Sequence, residues 1–581
     1  MYTLYRQFVI ALLIIHSNLA VSAGRIDKSE EKNKQLYVEE PSWIAAGEKL
    51  FNTYCSSCHN FTADNIGPRL ATITYETDKM WIHRFIRNPQ QLIDEGDIRA
   101  NKLMKKYSTV MPNFGLDDAQ ADQLTAYLYS QRNPDLLNEV KLLRNDAIED
   151  PVPEHSNKAN FGLELCDFVK IPASSESKQK TKINKLFGIN KDFVERLFVA
   201  DSHGKLYEVS KGKTVVILDL KKVIPEMVSA PGLSTGFGSF TFSPEFKDDR
   251  LFYTTHPEMT SDKPVDFRLA NDTLPIMHWV ITEWKMALDG KTVLLDSRRE
   301  LIRMEMYKQA HAIQDITFNY FVDKNHSDYG LMYIGVGDGG ASYYNRADLF
   351  ASKQQIWGNV LRIDPKGVNS ANGQYGIPKD NPWANKQYLP MALPEIYMSG
   401  FRNPNQISFV PKTGQVLISD IGHWNIEEIN LGYKAADYGW PRREGRFEFD
   451  INGIQSAVYP ADSLDDSIPP VIQHDHDEIK AIAGGYTYYG DNLPQLKERY
   501  FYGDIVTGRV FTVEVNQFES GITSTAQEVS LHYKGKETSI SDLVDNKRAD
   551  IRFGQSMKGD LFILSKTNGM VWQVCDVVNN L

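Results

Sequence analysis

A strand signal recurs six times along most of this chain, as Arg196-Leu197-Phe198-Val199, Arg250-Leu251-Phe252-Tyr253, Gly330-Leu331-Met332-Tyr333, Gln415-Val416-Leu417-Ile418, Arg499-Tyr500-Phe501-Tyr502 and Asp560-Leu561-Phe562-Ile563. Branched and aromatic residues between polar turns favour strands. The copies lie about 73 residues apart on average, longer than the roughly 40 to 50 residues of compact blade repeats, so each unit carries long loops. One such unit cannot bury its own apolar face, whereas a closed ring of them can. Six copies therefore predict a six-bladed all-β propeller over residues 159–577.

Ahead of four of these strands a shorter one ends in Thr241-Phe242, Thr317-Phe318, Ser408-Phe409 or Arg552-Phe553. The pair reads as the inner hairpin of a blade, whose first strand runs along the channel and whose second returns. The start of the first and the end of the second then share one face. His311 and Arg402 stand seven positions before Phe318 and Phe409, and returning strands end near Asp201, Asp338, Asp420 and Asp504. An imidazole, a guanidinium and several carboxylates around a channel mouth suit a polar, oxygen-rich ligand, with or without a cation.

The region before the repeats has a different texture. Residues 1–23 combine Arg6, an apolar run from Phe8 to Ile15 and Val21-Ser22-Ala23, the pattern of an export signal cleaved after Ala23. Cys55-Ser56-Ser57-Cys58-His59 is a C-x-x-C-H string, whose two thiols can bond both vinyl groups of a porphyrin while the histidine faces the iron. The bare string also fits a redox pair or half a zinc site, but no second cysteine pair lies nearby. A helical pattern starts at Pro41-Ser42 and runs into Cys55, and Asp117-Asp118 open another with Leu124, Tyr127 and Leu128 on its apolar face.

On these features residues 42–131 resemble class I cytochrome c. The resemblance implies covalent haem c at Cys55 and Cys58, with His59 and Met111 as axial iron ligands; Met104 is a nearby competitor, and Met111-Pro112 before the final helix is the better match. A small all-α domain at 40–133 is thus expected, then a Pro-containing acidic linker at 134–158 and the propeller.

The propeller resembles the soluble quinoprotein glucose and sorbosone dehydrogenases. The matching stretches are His311, Ile334-Gly335-Val336-Gly337-Asp338-Gly339-Gly340, Gly400-Phe401-Arg402-Asn403-Pro404, Glu427-Glu428-Ile429-Asn430-Leu431, Asp437-Tyr438-Gly439-Trp440-Pro441 and Gly484-Gly485-Tyr486. The resemblance implies pyrroloquinoline quinone (PQQ) and calcium as cofactors. His311 becomes the general base, Asp338 its orienting carboxylate, and Arg402, Asn403 and Arg548 contacts to the quinone. Carbonyls at Gly422 and His423 would hold the cofactor's calcium, and Glu428 with Tyr438 a structural one. Three departures stand out. Gln314-Asp315 follow the histidine, Val506 occupies the place of a lysine, and Lys547-Arg548-Ala549-Asp550 replaces an Arg-x-Arg-Asp pattern. Arg509, Lys547 and Arg548 are the neighbouring replacements. His474-Asp475-His476-Asp477 reads as a rim loop.

Cys166 and Cys575 fall in the first and last strands of the propeller, where a disulfide would lock the ring. The expected protein is a periplasmic dehydrogenase that oxidises a sugar or related alcohol, passing electrons through the haem to a periplasmic or membrane acceptor. The alternative is a degenerate propeller that binds a ligand or partner beside a carrier cytochrome. A net charge of −11 argues against nucleic acid as partner.

Overall fold

The computed structural model describes residues 37–579 except 57–58, 63, 65–66, 108–110, 139–143, 177–179, 192–193, 230–234, 272, 454–455 and 462–464. The leader at 1–23 and Cys58 lie outside the described residues. Two compact units emerge: one gathers residues up to Phe51, Arg69–Lys102 and Met111–Glu139, the other Asn52–Pro68, Leu103–Val110 and Val140 onward. Among the described residues no helix is long and apolar enough to cross a membrane.

The first unit is helical. Its final helix, Asp118–Ser130, opens with the expected cap: the Asp117 carboxylate accepts from the Gln120 amide at 2.8 Å, and the Gln120 side-chain oxygen accepts from the Asp117 amide at 3.1 Å. Its apolar face is buried as the spacing of Leu124, Tyr127 and Leu128 predicts, and the Tyr127 ring packs 5.5 Å from Phe51 of the helix Pro41–Tyr54.

The second unit is the propeller. Blade one comprises Ile183–Lys191, Val194–Asp201, Lys205–Ser210 and Lys213–Asp219, and blade two Ser239–Phe242, Leu251–Glu258, Met277–Met286 and Val293–Met306. Blade three follows with Ile313–Phe318, Met332–Val336, Asn359–Ile363 and Ile396–Ser399, and blade four with Pro404–Phe409, Val416–Asp420, Ile426–Gly432 and Ile472–Asp475. Blade five is Ile482–Thr487, Arg499–Asp504, Val510–Glu514 and Gln527–Tyr533. Blade six takes Ile551–Gln555, Leu561–Ser565 and Met570–Asn579 from the end of the chain and Asn157–Lys170 from its start.

All six repeated signals are second strands of blades, and the inner strands lie where the hairpin reading puts them. The last inner strand runs to Gln555, two residues past Phe553. Asn157–Lys170 pairs antiparallel with Met570–Asn579, and Cys166 and Cys575 form a disulfide across that pair with their Cα atoms 5.9 Å apart.

One expectation is corrected. His474 and Asp475 end a strand of blade four instead of a rim loop, and His474 is buried, with Nδ1 2.7 Å from Glu478 and Nε2 2.7 Å from the Tyr502 hydroxyl. Two satisfied ring nitrogens let a histidine take a core position.

Below the channel mouth, Lys185 of blade one and Asp315 of blade three form a buried ion pair at 2.5 Å. Asp315 also accepts from the Ser239 hydroxyl of blade two at 2.9 Å and the Ile407 amide of blade four at 2.9 Å. One carboxylate thereby ties four inner strands, which gives Asp315 a structural role.

Candidate active site

His311 and Arg402 each stand two residues ahead of an inner strand, at Ile313 and Pro404. This register brings both to one mouth of the channel. His311 is buried and adopts φ 48, a left-handed conformation that costs a β-carbon-bearing residue energy and persists only where its surroundings dictate it. Its Nδ1 donates to Asp338 Oδ1 at 2.6 Å, which leaves Nε2 with the lone pair, 3.2 Å from the Tyr343 hydroxyl. The Asp338 oxygen also accepts the Gly340 amide at 2.9 Å, and the Asp338 amide donates to the Arg402 carbonyl at 2.8 Å.

The turn Gly337-Asp338-Gly339-Gly340 makes this approach possible. A β-carbon on Gly337 would fall 2.4 Å from the His311 carbonyl oxygen. Electrostatics fix the protonation states. Burial first, and the Arg402 charge second, hold the His311 imidazole below its usual pKa, so its neutral form prevails. The imidazole and Arg402 overcome the burial of Asp338 and hold its carboxyl at about 2.

Arg402 Nη1 donates to the carbonyls of Ile421 at 3.1 Å and Gly422 at 2.5 Å. Its Nε and Nη2, and Oδ1 of Asn403, are buried and find no hydrogen-bond partner among the described residues. A buried guanidinium with unspent donors is an opening for an oxygen-bearing ligand. Those residues fit a quinone such as PQQ. The Gly422 carbonyl is one of the two acceptors of this guanidinium. His423 is buried, its amide donating to Glu444 Oε1 at 2.6 Å; the same oxygen takes the amides of Trp424, Asn425 and Ile426. Glu428 is a buried carboxylate, and Tyr438 spends its hydroxyl on the Leu431 carbonyl at 2.6 Å.

Of the haem residues, Cys55 and Met111 are partly buried. The His59 Nδ1 is 2.8 Å from the Pro68 carbonyl, an arrangement that orients a ligating imidazole so that Nε2 faces a metal. A β-carbon at Gly67 would fall 2.2 Å from the His59 ring, so only glycine leaves room for it. In the same unit as the propeller, buried Asn60 donates to the Tyr343 carbonyl at 2.7 Å.

The glucose/sorbosone dehydrogenase model matches residues 187–548, well over half of the chain. The chain belongs to the glucose/sorbosone dehydrogenase family. A cytochrome c model matches residues 44–132. Among relatives, the HIPL1 protein of Arabidopsis thaliana is 29% identical over 262 residues, covering 42% of this chain and 36% of that protein. Quinoprotein glucose dehydrogenase B of Acinetobacter calcoaceticus is 27% identical over 261 residues, 45% of this chain and 50% of that one. The chain thus spans about a third to a half of the length of these curated relatives. The soluble aldose sugar dehydrogenase of Escherichia coli in its apo form aligns with a TM-score of 0.48 and 17% identity over 71% of this chain and 99% of that one.

Within this glucose/sorbosone dehydrogenase fold the three replacements separate. Arg509 is spent on Glu528, with contacts of 3.0 and 2.7 Å, and Lys547 is exposed. Arg548 remains, 3.5 Å from Asp550. Tyr343, Lys182 and Lys566 escaped the sequence reading. Lys182 had a usable signal, since it precedes the inner strand at Ile183 much as His311 precedes Ile313.

Proposed function

We propose that the propeller oxidises an aldose or related alcohol with PQQ bound over the channel mouth, and that the fused haem takes the electrons onward in the periplasm. The observation that carries this reading is the buried 2.6 Å pair of His311 and Asp338 beside a guanidinium with unspent donors. When bound, PQQ supplies the two-electron acceptor for hydride from the carbinol carbon.

His311 takes the hydroxyl proton at Nε2. Asp338 holds the imidazole in the tautomer that leaves this nitrogen bare, and its negative charge stabilises the imidazolium that forms. Arg402 and Asn403 would hold a quinone's oxygens, and the guanidinium would offset negative charge there. Glu428 and the Tyr438 carbonyl are the residues that would hold a structural calcium. His59 and Met111 are the residues that would hold the haem iron, and the haem would supply single-electron transfer. An export leader and a disulfide support the periplasm as its compartment.

An intact base and carboxylate favour catalysis over the degenerate, ligand-binding reading. The test is to purify the haem-loaded protein, add PQQ and calcium, and follow the reduced haem band with a panel of aldoses and alcohols. Haem reduction that requires both PQQ and substrate is expected, and His311→Ala should abolish it with the haem spectrum unchanged. Full turnover in that variant, or no PQQ-dependent reduction with any substrate, overturns the proposal.

A further inference from the structure

The single helical turn Ser342–Tyr344 follows the glycine turn that carries Asp338, and it brings Tyr343 to the centre of the site. The Tyr343 ring centroid lies 5.2 Å from that of His311 and 5.6 Å from that of His423, and the Arg402 guanidinium carbon is 5.0 Å from the same ring. Its hydroxyl is 3.2 Å from His311 Nε2, the nitrogen that must receive the substrate's proton. One tyrosine therefore touches both of the groups that converge on this mouth.

A turn of three residues does not hold its own place, because its last carbonyls find no acceptor role within the turn itself. For Tyr343 the donor comes from 283 positions earlier: Asn60 Nδ2 reaches its carbonyl at 2.7 Å, and both residues are only 2% exposed. The Asn60 amide is oriented for this, since its Oδ1 accepts the Thr62 main-chain amide at 2.9 Å and so leaves the nitrogen end for Tyr343. Asn60 directly follows His59, the expected haem ligand. The segments Asn52–Pro68 and Leu103–Val110 belong to the compact unit of the propeller, and both make further contacts around the mouth. Lys308, three residues before His311, donates to Asn52 Oδ1 at 3.4 Å, and the Tyr107 ring stands edge-on to Trp424, beside His423, with centroids 5.9 Å apart.

We propose that Asn60 is a positioning residue of the propeller's active site: it holds the Tyr343 turn so that the Tyr343 hydroxyl stays on Nε2 of His311. The segment that carries the haem histidine thereby completes the site where the alcohol is oxidised. With Nδ1 on Asp338 and Nε2 on Tyr343, the imidazole is held at both ends, and a substrate hydroxyl meets a nitrogen already aimed at it. Loss of the Asn60 amide frees the turn and lets the ring drift from the base. A cytochrome that served only to carry electrons away would need no contact of this kind. The inference rests on the reading of His311 as the base.

The deciding experiment needs no PQQ. Diethyl pyrocarbonate acylates neutral imidazole nitrogens that it can reach, and mass spectrometry of the His311 peptide from the full-length haem protein gives the rate at that ring. Tyr343→Phe uncovers Nε2 and should raise this rate about fivefold, the worth of one net hydrogen bond. Asn60→Leu should raise it by a similar factor, and the double variant should match Tyr343→Phe alone, because Asn60 acts through that hydroxyl. Haem spectra unchanged in all three separate the effect from a disturbed haem. In PQQ-loaded protein with calcium, sugar turnover read with a soluble dye that bypasses the haem should lose about fivefold in kcat in each variant, with KM unchanged. An Asn60→Leu protein whose His311 reacts at the wild-type rate overturns the proposal, and so does a double variant in which the two effects multiply. Where Asn60→Leu does not mature, Asn60→Ser takes its place, and if neither folds Tyr343→Phe decides: an unchanged rate at His311 overturns the proposal. The two readings fail differently. A wild type without PQQ-dependent haem reduction removes the dehydrogenase, whereas unchanged acylation in the variants removes only the role of Asn60.

Discussion

Replacing Gly337 with alanine tests whether the position of His311, and not merely its presence, sets the rate. The added methyl carbon would fall 2.4 Å from the His311 carbonyl oxygen and 2.7 Å from its β-carbon. Ordinary contact begins near 3.5 Å, so the two backbones must part by about 1 Å. Neither neighbour is the loose end of a side chain, and His311 is further held at Asp338. A displacement of that size at a reacting group costs about a hundredfold in rate, or about 3 kcal/mol in barrier. The assay is stopped-flow reduction of the haem by saturating sugar in PQQ-loaded protein, with PQQ affinity and melting temperature measured alongside. The expected result is a kcat about a hundredfold lower with cofactor affinity unchanged. A kcat within about threefold of the wild type would refute the argument that this turn holds the base in place.

The acid limb of the kcat/KM profile should lie below pH 6.5, because burial and Arg402 hold His311 under its ordinary value and only the neutral ring accepts a proton; a limb above pH 7 contradicts the assignment. Lys185→Met leaves Asp315 buried without its cation and should destabilise the propeller by about 3 to 5 kcal/mol. Calorimetry that finds the single variant as stable as the wild type would remove the ion pair as a tie between blades. Cys575→Ser opens a loop spanning 409 residues and should cost about 5 kcal/mol, read as a melting temperature roughly 6 °C lower; an unchanged melt means that strand pairing alone closes the ring.

The ring was legible because its repeat is local. Each inner hairpin carries its own apolar pattern and phenylalanine, and counting residues from Phe318 and Phe409 was enough to bring His311 and Arg402 to one mouth. Asp338 followed from the end of the neighbouring strand. Lys566 was not legible, since it comes near Lys182 only when the first and last blades join. Glu444 was hidden for a related reason: it gathers four successive amides, His423 to Ile426, from a position beyond the end of the strand that Ile426 opens. His474 was misread because alternating histidine and aspartate resembles a polar turn, while its partner Tyr502 comes from the next blade.

The way blade six is completed has a consequence for the life of the nascent chain. Asn157–Lys170 is made before the other strands of the ring, yet its antiparallel partner Met570–Asn579 is made after all of them, so the ring cannot close until that strand has been made. Until then that strand keeps an open edge, the state in which β proteins associate wrongly. The helical unit ahead of it has no such wait.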